Sequence, residues 1–298
     1  MRALPMMLMA AGLFTASAAH AELPPQVRAT LDAAIAGGNE ADIDTVAKYL
    51  KQANPDSAAE IDKMIADHRT QIAAAREEKL RGQGFLQGWK GEGQIGVSQS
   101  SGNSNTFGAA AGIALTKEGL RWRYNLRAAL NYERDNGVTS RNQQMAAFEP
   151  NYKFNDRLFA FGLAQYERDR FAGFSSRVTL SGGLGYKVIA TPDIDVAIKA
   201  GPAWRQTNLI GLPTEREINA FGALDARWNV SRALTLTENA TALYGDANTN
   251  LTSLTALSMK INRALSARVS YQVGYNSDPP PGFDKTDTLT SFSLVYGF

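Results

Sequence analysis

Apolar and polar residues alternate over most of the chain from Gln87 to Phe298. The run LRWRYNLRAALNY, residues 120–132, puts Leu120, Trp122, Tyr124, Leu126, Ala128, Leu130 and Tyr132 on one face. Arg121, Arg123, Asn125, Arg127, Ala129 and Asn131 take the other. A period of two predicts β-strands. Twelve such runs are expected, near 88–99, 106–116, 120–134, 141–154, 157–168, 176–190, 194–206, 216–229, 232–245, 252–261, 264–276 and 288–298. Their connections sort by parity. After the even-numbered runs they are tight, as in KEG, ND, ATPD, VSR and NRA. After the odd-numbered runs they are mostly longer, as in SSGNSN, DNGVTS, DRFAGFS and SDPPPGFDKTD. A soluble sandwich with Greek-key crossovers has no reason to order its loops this way. The expected fold class is all-β: an antiparallel up-and-down transmembrane β-barrel of about 12 strands, with short turns at one end and long loops at the other.

Strand length agrees. About 11 residues at about 3.3 Å each, tilted near 40°, rise roughly 25–28 Å, the height of an outer-membrane apolar band. The apolar face of each run then meets lipid, and the polar face meets a wet interior. Trp89, Trp122, Trp204, Trp228, Tyr186, Tyr275 and the terminal Phe298 fall near strand ends and are expected to form the interfacial girdles. The inward set is expected to be cationic. Lys90, Arg121, Arg123, Arg127, Lys153, Arg177, Lys187, Lys199, Arg205, Arg227, Lys260 and Arg268 stand against Glu92, Glu133, Glu149, Asp195, Glu217 and Asp225, a balance of +6. Two runs fit badly. In 157–168, Phe159, Phe161 and Leu163 share a phase with Gln165 and Glu167. In 232–245, Glu238 falls in phase with Leu234, Leu236 and Tyr244. A carboxylate on the lipid face is costly at mid-depth, so a bulge that shifts the phase is expected in each.

Ahead of Gln87 the period is helical. Val27, Leu31 and Ile35 fall on one face of a first helix, and Ile43, Val46 and Leu50 on one face of a second, with Gly37-Gly38-Asn39 between them. After Asn54-Pro55-Asp56-Ser57, the residues Ile61, Ile65, His68, Ile72 and Ala75 form a stripe on a third. This segment carries 11 acidic and 8 basic residues; the barrel carries 18 and 22. The extreme N-terminus has Arg2, the apolar run LPMMLMAAGLF and the small-residue site Ala19-His20-Ala21, the layout of a cleaved signal peptide. The expected division is a signal peptide at 1–21, a helical periplasmic segment at 22–86 and the barrel at 87–298. A formal charge of +2 over 298 residues implies no nucleic-acid partner, and the absence of cysteine excludes disulfides and thiol chemistry.

Catalysis is not expected. Of the two histidines, His20 leaves with the signal peptide and His68 sits on a helix, so the barrel has neither a histidine base nor a histidine metal site. Glu167 and Asp169 in YERDR alternate with arginines and read as a salt-bridged loop base. No cofactor is expected. The motifs GNSNT at 102–106, YERDRFAG at 166–173, SGGLGYKVI at 181–189 and GPAWR at 201–205 resemble those of the salt-induced outer membrane proteins, a bacterial family with a domain of unknown function. The resemblance covers 88–298. It implies an outer-membrane barrel linked to salt or osmotic stress, and it supplies no catalytic residues.

The expected function is a narrow anion-preferring channel, with Arg121, Arg123 and Arg127 forming one wall of a constriction. The alternative is a non-conducting barrel that anchors the helices of 24–81 to a periplasmic partner. A translocator-like barrel and a soluble lipocalin-like barrel are further readings. Outer-membrane lipid, and barrel-assembly machinery reading the final strand SFSLVYGF, are the other expected partners.

Overall fold

The computed structural model describes residues 23–84, 86–101, 107–135, 138–246, 248–279 and 282–298. The expected signal peptide and the GNSNT motif lie outside them. The chain divides into two units, one ending at Lys79 and one beginning at Leu80.

In the first unit α1 (Pro25–Gly37), α2 (Glu40–Ala53) and α3 (Ala58–Arg81) are joined by short turns. Gly38 adopts φ 69° and closes α1 through its N–H to the Ile35 carbonyl, a left-handed cap that favours glycine. Asn39 then caps α2 by accepting from the Ala41 N–H at 3.1 Å. Val27, Leu31, Ile43, Ala47, Ile61 and Ile65 close a small core, while Ile72 further along the α3 stripe is exposed. No helix among the described residues is long and apolar enough to cross a membrane.

The second unit is a closed antiparallel barrel of twelve strands. They are β1 (Trp89–Ser101), β2 (Phe107–Glu118), β3 (Trp122–Asp135), β4 (Val138–Lys153), β5 (Leu158–Asp169), β6 (Phe174–Ala190), β7 (Ile194–Leu209), β8 (Glu215–Asn229), β9 (Leu234–Tyr244), β10 (Thr249–Lys260), β11 (Leu265–Asn276) and β12 (Thr286–Gly297). Each pairs with its chain neighbours, and β1 pairs with β12 to close the cylinder. Phase decides which side chains face out. On β3, Trp122, Leu126 and Leu130 are exposed while Glu133 is fully buried. The same holds around the wall: Ile198 and Trp204 are exposed on β7 where Lys199 and Arg205 are buried. A continuous apolar outer face around a polar interior is the architecture of an outer-membrane barrel.

The two misfit runs resolve without the expected bulges. On β5, Phe161 and Leu163 are buried and point inward, and the outer phase is Ala160, Gly162, Ala164 and Tyr166. The only register shift on that strand's pairing with β6 comes at its end, between Glu167 and Asp169. The apolar residues of β5 therefore line the lumen. On β9 the register with both neighbours is unbroken, and Glu238 sits on the outer face opposite Ala226 and Thr255. It is tolerated there because the Ser253 and Thr255 hydroxyls donate to its two carboxylate oxygens at 2.6 and 2.5 Å.

Candidate functional site

The lumen is the site. Its lining is layered along the axis and uneven around it. At the short-turn end Glu118 accepts from Arg123 at 2.7 Å and from Lys153 at 2.7 Å, and Lys187 meets Asp195 at 2.7 Å. Beside them Arg268 on β11 reaches over β12 to Glu92 on β1, at 2.9 Å. It also donates to Gln94 at 3.0 Å and to Ser258 at 2.9 Å. One guanidinium thus ties three strands across the seam where the chain closes on itself.

One layer higher, a chain of alternating charge crosses the interior. Arg127 on β3 lies 3.7 Å from Glu149 on β4. Lys199 on β7 lies 2.7 Å from Glu149 and 2.8 Å from Asp225 on β8. Glu149 is steadied further by the Asn151 amide at 3.1 Å. Two strands, β5 and β6, separate Glu149 from Lys199, so this contact is a chord through the lumen. Glycines on β6 make room for it. Gly185 lies opposite Lys199, and a Cβ there would stand 2.2 Å from the Phe159 ring; a Cβ at Gly183 would stand 2.1 Å from the Ala200 carbonyl. Above the chord an apolar cluster of Ala147, Phe161, Leu163, Ala203, Phe221 and Leu243 fills the same side, with the Phe161 and Phe221 rings 5.6 Å apart.

The long-loop half is different again. Glu133 accepts from Ser98 at 3.1 Å and faces Arg141 at 3.6 Å. Asp169 is drawn into caps of the following turn, accepting from the Phe171 and Ala172 N–H groups, so it is not the salt-bridged base expected of YERDR. Arg177 stacks over the Phe174 ring at 4.0 Å and donates to the Thr207 hydroxyl at 3.3 Å. Arg205, buried beside it, donates to the Thr179 hydroxyl at 3.3 Å. Glu167 stands opposite Arg177 in register and Glu217 opposite Arg205, yet among the described residues neither arginine closes a salt bridge. The β9–β10 wall carries hydroxyls. On the inward phase of β9 and β10, Thr241 and Thr252 pair across the strands and are both exposed.

Several expected positions are placed differently. Arg121 lies in the exposed turn before β3, bonded to the outward-facing Tyr152 hydroxyl at 3.1 Å, and is not on the lumen wall. Arg227 is inward in phase and exposed near the short-turn end. Arg123, Arg127, Arg177, Lys199, Arg205, Arg268, Glu133 and Asp225 all stand on the inner phase. Sequence reading missed Arg141 as a lining cation and Glu118, Glu167, Asp169, Glu215 and Asp287 as lining acids. With these included and Arg121 removed, the balance falls from +6 to +1. On the outside, Trp89, Trp122, Tyr186, Trp228 and Phe298 ring the short-turn end, and Trp204 and Tyr275 the other. Trp122 and Tyr132 mark the two levels on one strand, about 33 Å apart along it and roughly 25 Å along the axis at a tilt near 40°.

The barrel matches, over residues 93–298, the model of a family described as protein of unknown function, DUF481. The chain is 24% identical over 209 residues to the protein YdiY of Escherichia coli (strain K12), covering 70% of this chain and 82% of that protein. Among solved structures it is similar to the NanC porin, at 12% identity and a TM-score of 0.48, over 69% of this chain and 98% of that one. It is also similar to the translocator domain of the autotransporter NalP from Neisseria meningitidis, at 13% identity and a TM-score of 0.44, over 78% of this chain and 96% of that one.

Proposed function

We propose, for a chain that belongs to the DUF481 family of proteins of unknown function, that the barrel is a narrow aqueous channel of the outer membrane with a preference for anions. The observation that carries this is the uneven lumen. Thr241 and Thr252 are exposed although they point into a closed cylinder, so water has access along the hydroxyl-lined β9–β10 wall. The ion-pair chord and the phenylalanine cluster narrow the lumen alongside it. Most lining charges cancel in pairs. The lining keeps a small positive excess, and the guanidiniums of Arg177 and Arg205 are held by hydroxyls and, among the described residues, not in salt bridges, with Glu167 and Glu217 opposite them in register. The helical segment is periplasmic on this reading, because an even strand number brings both barrel ends to the short-turn side, and the link to salt stress would follow from solute passage.

Planar-bilayer recording in a salt gradient tests the proposal. The expected result is a small conductance whose reversal potential favours anions, moving toward zero in the Arg177→Gln/Arg205→Gln double variant. Cation preference would refute it. Silence would favour the second reading, a non-conducting anchor, for which the chord across the lumen is the specific supporting observation.

A further inference from the structure

The long-loop half of the lumen holds a polar side chain that the fold leaves unserved. Asn219 on β8 points inward and is only 3% exposed, and among the described residues neither its Nδ2 nor its Oδ1 has a hydrogen-bond partner. Buried carboxamides are almost always satisfied, and leaving both ends unmet costs stability. Asn219 stands opposite Ala203, one inward position along β8 from Glu217, which faces Arg205. It is therefore a diagonal neighbour of Arg205 on the same inner surface. Arg205 in turn faces Thr179, and Arg177 faces Thr207, so five polar side chains from β6, β7 and β8 occupy one patch. Each arginine uses Nε on a threonine hydroxyl and, among the described residues, has no carboxylate in a salt bridge. Their terminal guanidinium nitrogens remain for a ligand.

We infer that Arg177, Arg205 and Asn219 form a binding site for a hydroxycarboxylate, a carboxylate carrying neighbouring hydroxyl groups as in a sugar acid. The chemistry selects this class. Two guanidiniums call for an anion, and the planar fork of Arg205 matches a carboxylate. An acceptor-only anion such as chloride or acetate cannot complete the site, because it leaves the Asn219 Oδ1 unmet. A hydroxyl group both donates and accepts, so one hydroxyl or a vicinal pair answers both ends of the carboxamide. Phe174, buried beneath the Arg177 guanidinium, fixes that charge in place and adds an apolar floor. The inference rests on the reading of the lumen as water-filled and assigns its solute class.

The test is calorimetric titration of the detergent-solubilised full chain with D-gluconate, acetate, glucose and inorganic phosphate. Gluconate is expected to bind at least about tenfold more tightly than acetate or phosphate, the worth of one well-made hydrogen bond, and glucose more weakly still. Arg205→Gln should abolish gluconate binding. Asn219→Ala should erase the preference for gluconate over acetate while acetate binding persists, and both variants should keep the heat-modifiable gel shift of a folded barrel. Equal affinity for gluconate and acetate, or an unchanged ratio in Asn219→Ala, overturns the site. Tight phosphate binding that ignores Asn219 would mark a plain anion cleft and overturns it too. The bilayer separates this from the channel proposal. Gluconate binding by a silent barrel keeps the site and removes the channel. Anion current that gluconate never blocks, with no binding in the calorimeter, keeps the channel and removes the site.

Discussion

Replacing Lys199 by Met removes the centre of the cross-lumen chain and keeps nearly the same side-chain volume. The Lys199 ammonium is 5% exposed and holds Glu149, 8% exposed, at 2.7 Å, and Asp225, 38% exposed, at 2.8 Å. The two acids respond differently. Asp225 can turn to water, and losing its half of the contact costs about 0–1 kcal/mol. Glu149 cannot, and a buried charge stripped of its partner costs about 3–5 kcal/mol. Part of that is recovered, because Arg127 already lies 3.7 Å away on a 41% exposed side chain and can close in, and the Asn151 amide stays at 3.1 Å. The net expectation is a loss of about 2–3 kcal/mol. Glu149→Gln should cost less, about 1–2 kcal/mol, since Lys199 keeps Asp225. The double variant should cost less than the two singles together, with a coupling of about 1–2 kcal/mol. Urea unfolding in lipid vesicles, followed by tryptophan fluorescence, measures all three. A Lys199→Met barrel within about 0.5 kcal/mol of the parent would show that the chord contributes nothing, as would strictly additive singles.

Arg268→Ala should loosen the seam between the first and last strands. About 1–2 kcal/mol of stability is expected to go, since Glu92 is 42% exposed and can re-solvate, and amide exchange should quicken on β1 and β12 before β5 or β6; uniform exchange would contradict the seam role. Glu238→Gln keeps an acceptor for one of the Ser253 and Thr255 hydroxyls and offers an amide donor to the other, while removing a carboxylate from the lipid face. It should leave stability unchanged or raise it by up to about 1 kcal/mol in vesicles, and a clear loss would mean the charge itself has a partner outside the barrel.

The barrel was legible because a membrane strand repeats one decision many times. Trp122, Leu126 and Leu130 need lipid, Arg123 and Arg127 need water, and a period of two satisfies both at once. Loop lengths then gave the topology, since a meander can place tight turns only at one end. Strand ends were the weaker signal. β4 begins at Val138 and β10 at Thr249, each three residues before the alternation becomes regular, because backbone pairing continues where side chains no longer face two solvents. The N-terminal helices were legible for the same reason at a period of 3.6, and the exposed Ile72 marks where the stripe outruns the core that covers its earlier half.

The lumen was less legible because its interior is not one solvent. The alternation rule assumes that inward means polar, which holds where water reaches the wall and fails where side chains meet across it. Phe161, Leu163 and Phe221 point inward because strands three apart in a twelve-stranded cylinder curve close enough for them to bury one another, and no single strand's sequence contains that distance. Cation counting failed similarly. Lys199 looks like a pore charge on β7, but two carboxylates from β4 and β8 neutralise it, and the register that brings them together is a property of the closed sheet. What survives this cancellation is informative because it is small. Among the described residues Asn219 has both ends of its carboxamide unmet, while Arg177 and Arg205 hold threonine hydroxyls and close no salt bridge. A site for a passing molecule has to be left incomplete by the protein, so selectivity in this lumen is to be sought at its unmet groups and not in its total charge.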